Sequence, residues 1–252
     1  MNANIKRASL VTLLVTTFSV LASSVHALDI KVMSDSPLEP ALTTVVDLYR
    51  QQTHNTVSLV FDPSPAVKKR IDDGEAADVI IVQPDFAEAL TKTGAVSAGD
   101  RPVIGHVGVG LGNRKASPAY DISTVERFKN TLLGADLLVF NSVKSGEAFA
   151  AVLDRLGIAA TLKPKIVRTT PLGIFDPVLR GKGNDMAAGT IPLIATTPGI
   201  KLLGPLPGEF QSSLTYTAAI MANTANRDAA DRFVKFLTSS EAKGAFAANG
   251  AP

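Results

Sequence analysis

The feature that most constrains this 252-residue chain is an alternation of short apolar runs with helical spacings, interrupted once and then resumed. Residues 29–33 read as a strand. Residues 37–52 read as a helix, with Leu38, Leu42, Val45, Val46 and Tyr49 at helical spacing. A strand at 57–61 and a short helix at 66–72 follow. Residues 78–82 (DVIIV) have the unbroken apolar character of a parallel strand buried on both faces, and a helix at 85–93 comes next. Such an order requires a parallel sheet with right-handed crossovers.

The interruption is a Gly-rich alternating strand at 103–111 (VIGHVGVGL), followed by a polar loop at 112–123. A second α/β set then reads as strand 137–140, helix 148–156, strand 165–167, helix 174–180 and strand 185–188. Another alternating strand at 214–221 precedes two closing helices at 227–237 and 240–248. The simplest topology crosses from one lobe to another near His106 and returns near Thr217. Lobe one is then 28–105 plus 218–252, and lobe two is 106–217. Two crossings form a hinge, and hinged lobes close around ligands. In open α/β sheets ligands bind beyond the carboxyl ends of the strands.

Ahead of this pattern, Lys6 and Arg7 precede a nearly uncharged run at 8–22, and Val25-His26-Ala27 is a small-x-small cleavage site. These mark 1–27 as a signal peptide and Leu28 as the mature N-terminus. The apolar run is shorter than the ~20 residues that span a bilayer. A soluble periplasmic protein without stable membrane insertion is expected. The whole chain has 25 basic and 23 acidic residues, a formal charge of +2. Removing the leader leaves 23 of each sign, which gives no electrostatic case for a nucleic-acid partner. Any anion preference must come from a local site.

Four strand ends suggest where that site lies: Met33-Ser34-Asp35-Ser36-Pro37, Asp62-Pro63-Ser64-Pro65, Ser142-Val143-Lys144-Ser145-Gly146 and Thr169-Thr170-Pro171-Leu172-Gly173. Each places a hydroxyl residue where an N-cap is expected, and Pro follows it in three. Helix starts present unpaired N–H groups and the positive end of the dipole. Any one of these turns is accounted for by capping alone. Four of them, two per lobe and facing one cleft, point to capture of a small anion by neutral donors.

The stretches VMSDSPLEPALTTVVDLYRQQT, VSLVFDPSPAVKKRIDDGEAADVIIVQP and FVKFLTSSEAKGAFAANG resemble the molybdate-binding-protein-like solute receptors of ABC transporters. The resemblance runs along essentially the whole mature chain, and GEAADVIIVQP and FLTSSEA are its most specific blocks. It implies a two-lobe periplasmic-binding-protein fold of the second type, a monomer, and an ABC-transporter permease as partner. Carried over residue by residue, the family pocket falls on Ser34, Ser36, Ser64, Ser145, Gly146, Thr170 and Thr190, with Pro171 and Leu172 offering backbone groups. Two departures stand out. Asp62 and two prolines occupy a turn that is Ser-rich in molybdate binders, and Ala187-Ala188-Gly189-Thr190 lacks the Tyr those proteins carry nearby.

Among charged residues, Lys68, Lys69 and Arg70 start a lobe-one helix and read as solvated surface. Arg70 and Lys144 are the two that could hold a carboxylate, Arg70 through its bidentate fork; Arg168 flanks a lobe-two turn. His106, on a crossing strand, reads as a satisfied strand histidine or as a general base. His54 reads as surface, and Asp176 as a helix cap. No Cys and two mature His argue against a His/Cys metal cluster. No nucleotide-binding, Ser-hydrolase or zinc-protease motif is present, so no cofactor is expected. The resembled group also contains periplasmic aconitate isomerases, which makes proton transfer the enzymatic alternative, with His106 or Asp62 as base. A receptor for an organic acid or phosphonate is a third possibility.

Overall fold

The computed structural model describes residues 29–252, so the leader and Leu28 lie outside the described residues. The strands are β1 (Asp29–Asp35), β2 (Thr56–Asp62), β3 (Val79–Val82), β4 (Val103–Arg114), β5 (Leu137–Asn141), β6 (Ile166–Thr169), β7 (Asp185–Thr190), β8 (Ile200–Pro205) and β9 (Ser213–Ile220). The helices are α1 (Glu39–Thr53), α2 (Ser64–Asp72), α3 (Pro84–Lys92), α4 (Val125–Leu133), α5 (Lys144–Arg155), α6 (Ala159–Leu162), α7 (Asp176–Arg180), α8 (Ile191–Thr196), α9 (Arg227–Leu237) and α10 (Ser240–Ala248).

The strands run in the order β2-β1-β3-β9-β4-β7-β5-β6, with β8 on the other part of β4. β1 pairs in parallel with β2 and β3, and β5 in parallel with β6 and β7. β4 and β9 run antiparallel to their neighbours and join the two sets. β4 changes partner midway: 103–108 face β9, whereas 109–114 face β7 and β8. Its glycines follow from that crowding. A Cβ on Gly110 would meet the Gly204 carbonyl at 2.9 Å, and one on Gly112 the Lys201 carbonyl at 2.9 Å.

Each half is a sheet covered on both faces, as parallel strands require. In lobe one, α1, α9 and α10 pack one face through Leu42, Tyr49, Phe233 and Phe246, and α2 and α3 pack the other through Val67 and Leu90. In lobe two, α4 and α5 contribute Phe128, Leu132 and Phe149, while α7 and α8 contribute Val178 and Ile194.

Four elements were not expected from the sequence: α4, α6, α8 and β8. α4 has ordinary signals, with Thr124 Oγ1 accepting the Arg127 N–H at 3.2 Å and Phe128 and Leu132 buried one turn apart. The other three are runs of four to six residues whose conformation is imposed by packing against their neighbours. The helix expected at 148–156 begins earlier, at Lys144, and the one expected at 37–52 opens with a 3-10 turn at Ser36–Leu38.

Candidate functional site

The carboxyl ends of β1, β2 and β3 face those of β5, β6 and β7 across a cavity of about 290 Å³. Lobe one lines it with Asp35, Ser36, Pro63, Ser64, Gln83 and Phe86, and with Leu214 and Tyr216 of β9. Lobe two contributes Asn141, Ser142, Lys144, Ser145, Glu147, Pro171, Leu172 and Thr190. The space is several times that of a single water and takes a ligand of several heavy atoms.

The hydroxyl residues at the turns do not cap helices as expected. Asp35, Pro63, Val143 and Thr170 occupy the N-cap positions, none with a side-chain cap bond. Ser36 and Ser64 stand one residue inside, which places them on the cavity wall. At α5 the cap comes from Asn141. Its Oδ1 accepts the Val143 N–H at 3.1 Å and the Gly146 N–H at 3.0 Å, while its Nδ2 donates to Ser145 Oγ at 2.9 Å. Gly146 is what lets α5 start so close to β5, since a Cβ there would lie 1.9 Å from the Asn141 carbonyl oxygen.

Of the residues singled out from sequence, Ser36, Ser64, Ser145, Thr190 and Lys144 meet at the cavity. Ser34 is buried behind it, its hydroxyl donating to the Asp35 carbonyl at 3.3 Å. Gly146 is buried against Asn141, and Thr170 is exposed outside the lining. Arg70 and Asp62 pair with each other at 2.6 Å, with Glu75 2.9 Å from the same guanidinium, away from the cavity. His106 is exposed, with Nδ1 3.1 Å from Thr215 Oγ1. Lys68 and Lys69 pair along their own helix with Asp72 and Asp73. Arg168 stacks 4.5 Å above the Phe140 ring. His54 ends α1 in the left-handed region, and Asp176 begins α7.

Besides Glu147, the acid in the lining is Asp35, which the sequence reading had not singled out. It is 4% exposed. The Ser64 hydroxyl donates to its Oδ2, and Gln83 Nε2 donates to the same oxygen at 3.4 Å. Ser64 Oγ in turn accepts the Gln83 backbone N–H at 3.3 Å. Burial pushes the Asp35 carboxyl up from 3.8 to about 6, against the Ser64 hydroxyl, the N–H groups of Ser64 and Ser36, and the Gln83 amide, all of which favour the charged form. Tyr216, also fully buried, has its hydroxyl held protonated well above the ordinary tyrosine range by burial and by the Asp35 charge. The Thr190 hydroxyl is buried without a hydrogen-bond partner. Lys144, the one cation in the lining, pairs across the cleft with Asp85 at the start of α3. Among the described residues no group of His, Cys, Asp and Glu is arranged to hold a metal ion.

The arrangement offers hydroxyl donors from both lobes, one positioned carboxylate and one paired lysine. A family profile described as "Bacterial extracellular solute-binding protein" matches residues 30–251. The aconitate isomerase of a Pseudomonas species is 23% identical over 227 residues, covering 87% of this chain and 86% of that protein. Among solved structures, the Azotobacter vinelandii periplasmic molybdate-binding protein matches with a TM-score of 0.73 at 19% identity, over 88% of this chain and 98% of that one. The sulfate-binding protein SubI of Mycobacterium tuberculosis H37Rv gives 0.69 at 16% identity, over 89% and 86% respectively.

Proposed function

We propose that this chain, which belongs to the bacterial extracellular solute-binding protein family and has the type II periplasmic-binding-protein fold, captures a small anion between its lobes for an ABC-transporter permease. The observation that carries this reading is the cavity itself. Its walls are the carboxyl ends of both parallel sheets, and Ser36 and Ser64 face Ser145 and Thr190 across it. The Lys144–Asp85 pair bridges the lobes at the same place, so closing the cleft and making the pair go together. A periplasmic location fits the leader, and residues 29–252 contain no helix long and apolar enough to cross a membrane.

The test is a melting panel on residues 28–252 with molybdate, tungstate, sulfate, phosphate, citrate, tricarballylate and both aconitates. A ligand at ~1,000 times its Kd adds ~4 kcal/mol. At ~2–4 °C per kcal/mol for a protein of this size, the melting temperature rises by roughly 8–16 °C. A flat panel would remove the capture reading.

A second reading, an isomerase acting by proton transfer on an unsaturated tricarboxylate, is favoured by Asp35 and by the likeness to aconitate isomerase. A fixed carboxyl that titrates at about 6 is suited to take a proton from a methylene beside a carboxylate near neutral pH and to return it. His106 and Asp62, the bases suggested by the sequence, lie outside the cavity lining, so the role passes to Asp35. On this reading the purified protein interconverts cis- and trans-aconitate, and Asp35→Asn lowers the rate by at least ~100-fold. No interconversion above the blank excludes it.

A further inference from the structure

We propose that the ligand is a small hydroxy acid whose hydroxyl donates to the Asp35 carboxylate while its carboxylate takes the neutral donors of lobe two. The proposal rests on the capture reading and adds the chemical class of what is captured.

It begins with an inventory of hydrogen-bonding capacity. An ionised carboxylate only accepts, and so does every oxygen of a fully ionised oxyanion. Although burial disfavours its charge, Asp35 is surrounded by donors: the Ser64 hydroxyl and the Gln83 amide both donate to Oδ2, and the N–H groups of Ser36 and Ser64 add to them. Asp35 lines the cavity, so its carboxylate is an acceptor for whatever enters. A bare oxyanion would meet this acceptor with another acceptor. A hydroxyl would meet it with a proton.

Charge points the same way. The charged side chains lining the cavity are Asp35, Glu147 and Lys144, with Asp85 engaging Lys144 from α3. Gln83, just past the end of β3, and Tyr216, in the middle of β9, are neutral. No unpaired cation in the lining offsets a second ligand charge next to Asp35. The opposite wall suits a carboxylate: Thr190 Oγ1 is buried without a partner, and Ser145 adds a hydroxyl to the lining. The volume of about 290 Å³ accommodates a ligand larger than a five-atom anion.

The experiment compares matched pairs that differ by one hydroxyl: lactate with propionate, malate with succinate, and citrate with tricarballylate. Molybdate, sulfate and both aconitates complete the set, with affinities from calorimetry at pH 7.5. The expected result is that a hydroxy acid binds at least ~10-fold more tightly than its deoxy partner, the range of a hydrogen bond to a charged group. That advantage shrinks in Asp35→Asn. With the wild-type protein, affinity for a bound monocarboxylic hydroxy acid falls by up to about tenfold between pH 7.5 and 5, because protonating Asp35 turns a charged acceptor into a weaker neutral one. Equal binding within every pair, binding of oxyanions or aconitate alone, or affinity that rises toward pH 5 overturns the ligand class and leaves capture standing. Binding by none of the compounds removes the capture reading and this inference together.

Discussion

Asp35→Asn is expected to raise the melting temperature of the unliganded protein at pH 7.5 by about 6–12 °C. In the unfolded chain this carboxyl titrates at 3.8, and in the folded protein burial lifts it to about 6. The folded state therefore binds the proton more tightly, and an acid with a raised pKa loses folding stability as pH climbs from the lower value to the higher. The penalty is complete above pH 6 and amounts to about 3 kcal/mol at 1.36 kcal/mol per unit. Asparagine has the same shape and no charge to desolvate, so the variant escapes the penalty, at ~2–4 °C per kcal/mol. The check is a pair of melting series from pH 4 to pH 8. The difference between variant and wild type should be small at pH 4, grow to pH 6 and then stay level. Coincident curves at pH 7.5 would mean that Asp35 carries no such strain. A group kept at that cost on a cavity wall is retained for what it does to a ligand.

Gly146→Ala is expected to move stability the other way, lowering the melting temperature by a similar 6–12 °C. The added carbon would lie 1.9 Å from the Asn141 carbonyl oxygen, 2.6 Å from Asn141 Oδ1 and 2.7 Å from the carbonyl carbon. Two of those atoms are backbone of a buried strand end, so α5 has to back away from β5. Overpacking of this kind costs about 1–3 kcal/mol, and a backbone clash belongs at the upper end. The displacement also breaks the Asn141–Ser145 contacts, so ligand affinity falls with stability. Gly244→Ala in α10 is the control. Nothing lies within 4 Å of its new carbon, and replacing a mid-helix glycine adds about 0.5–1 kcal/mol. Unchanged melting of Gly146→Ala would mean that the strand-to-helix joint can slacken freely.

The two-lobe fold was legible because its signals are periodic. An unbroken apolar run such as DVIIV reports burial on two faces, and the alternation of 214–221 marks a strand, although β9 is also buried on both faces, with Ala218 packed to one side and Ala219 to the other. The site was legible only as a set of turns. Asp35 and Asp62 occupy register-matched positions at the ends of paired strands, and both precede a Ser-Pro turn. What separates them is strand order. β1 lies between β2 and β3, so Asp35 ends a central strand and opens into the cleft, whereas β2 is an edge strand whose end leaves Asp62 free to pair with Arg70. Lateral order in a sheet depends on contacts between distant segments, which no local pattern encodes. Tyr216 was hidden for a related reason: its place in an alternating strand marks it as inward-facing, and only the packing of β9 beside β3 brings it to Asp35. The cap on α5 escaped notice because Asn141 belongs to the preceding strand.

The double crossing through β4 and β9 also sets an order of assembly. The strands of lobe two, β5 to β8, lie together in one stretch, whereas lobe one needs residues from both sides of it: β9 hydrogen-bonds β3 across more than 130 intervening positions, and Phe233, Leu237 and Phe246 complete its apolar centre. As the chain emerges from the ribosome, the first hundred residues lack those partners and keep their apolar faces uncovered, while the inserted segment already holds most of its own. The usual N-terminal-first sequence of maturation is thereby reversed, and the final step is a long-range closure of the slow kind that high contact order produces.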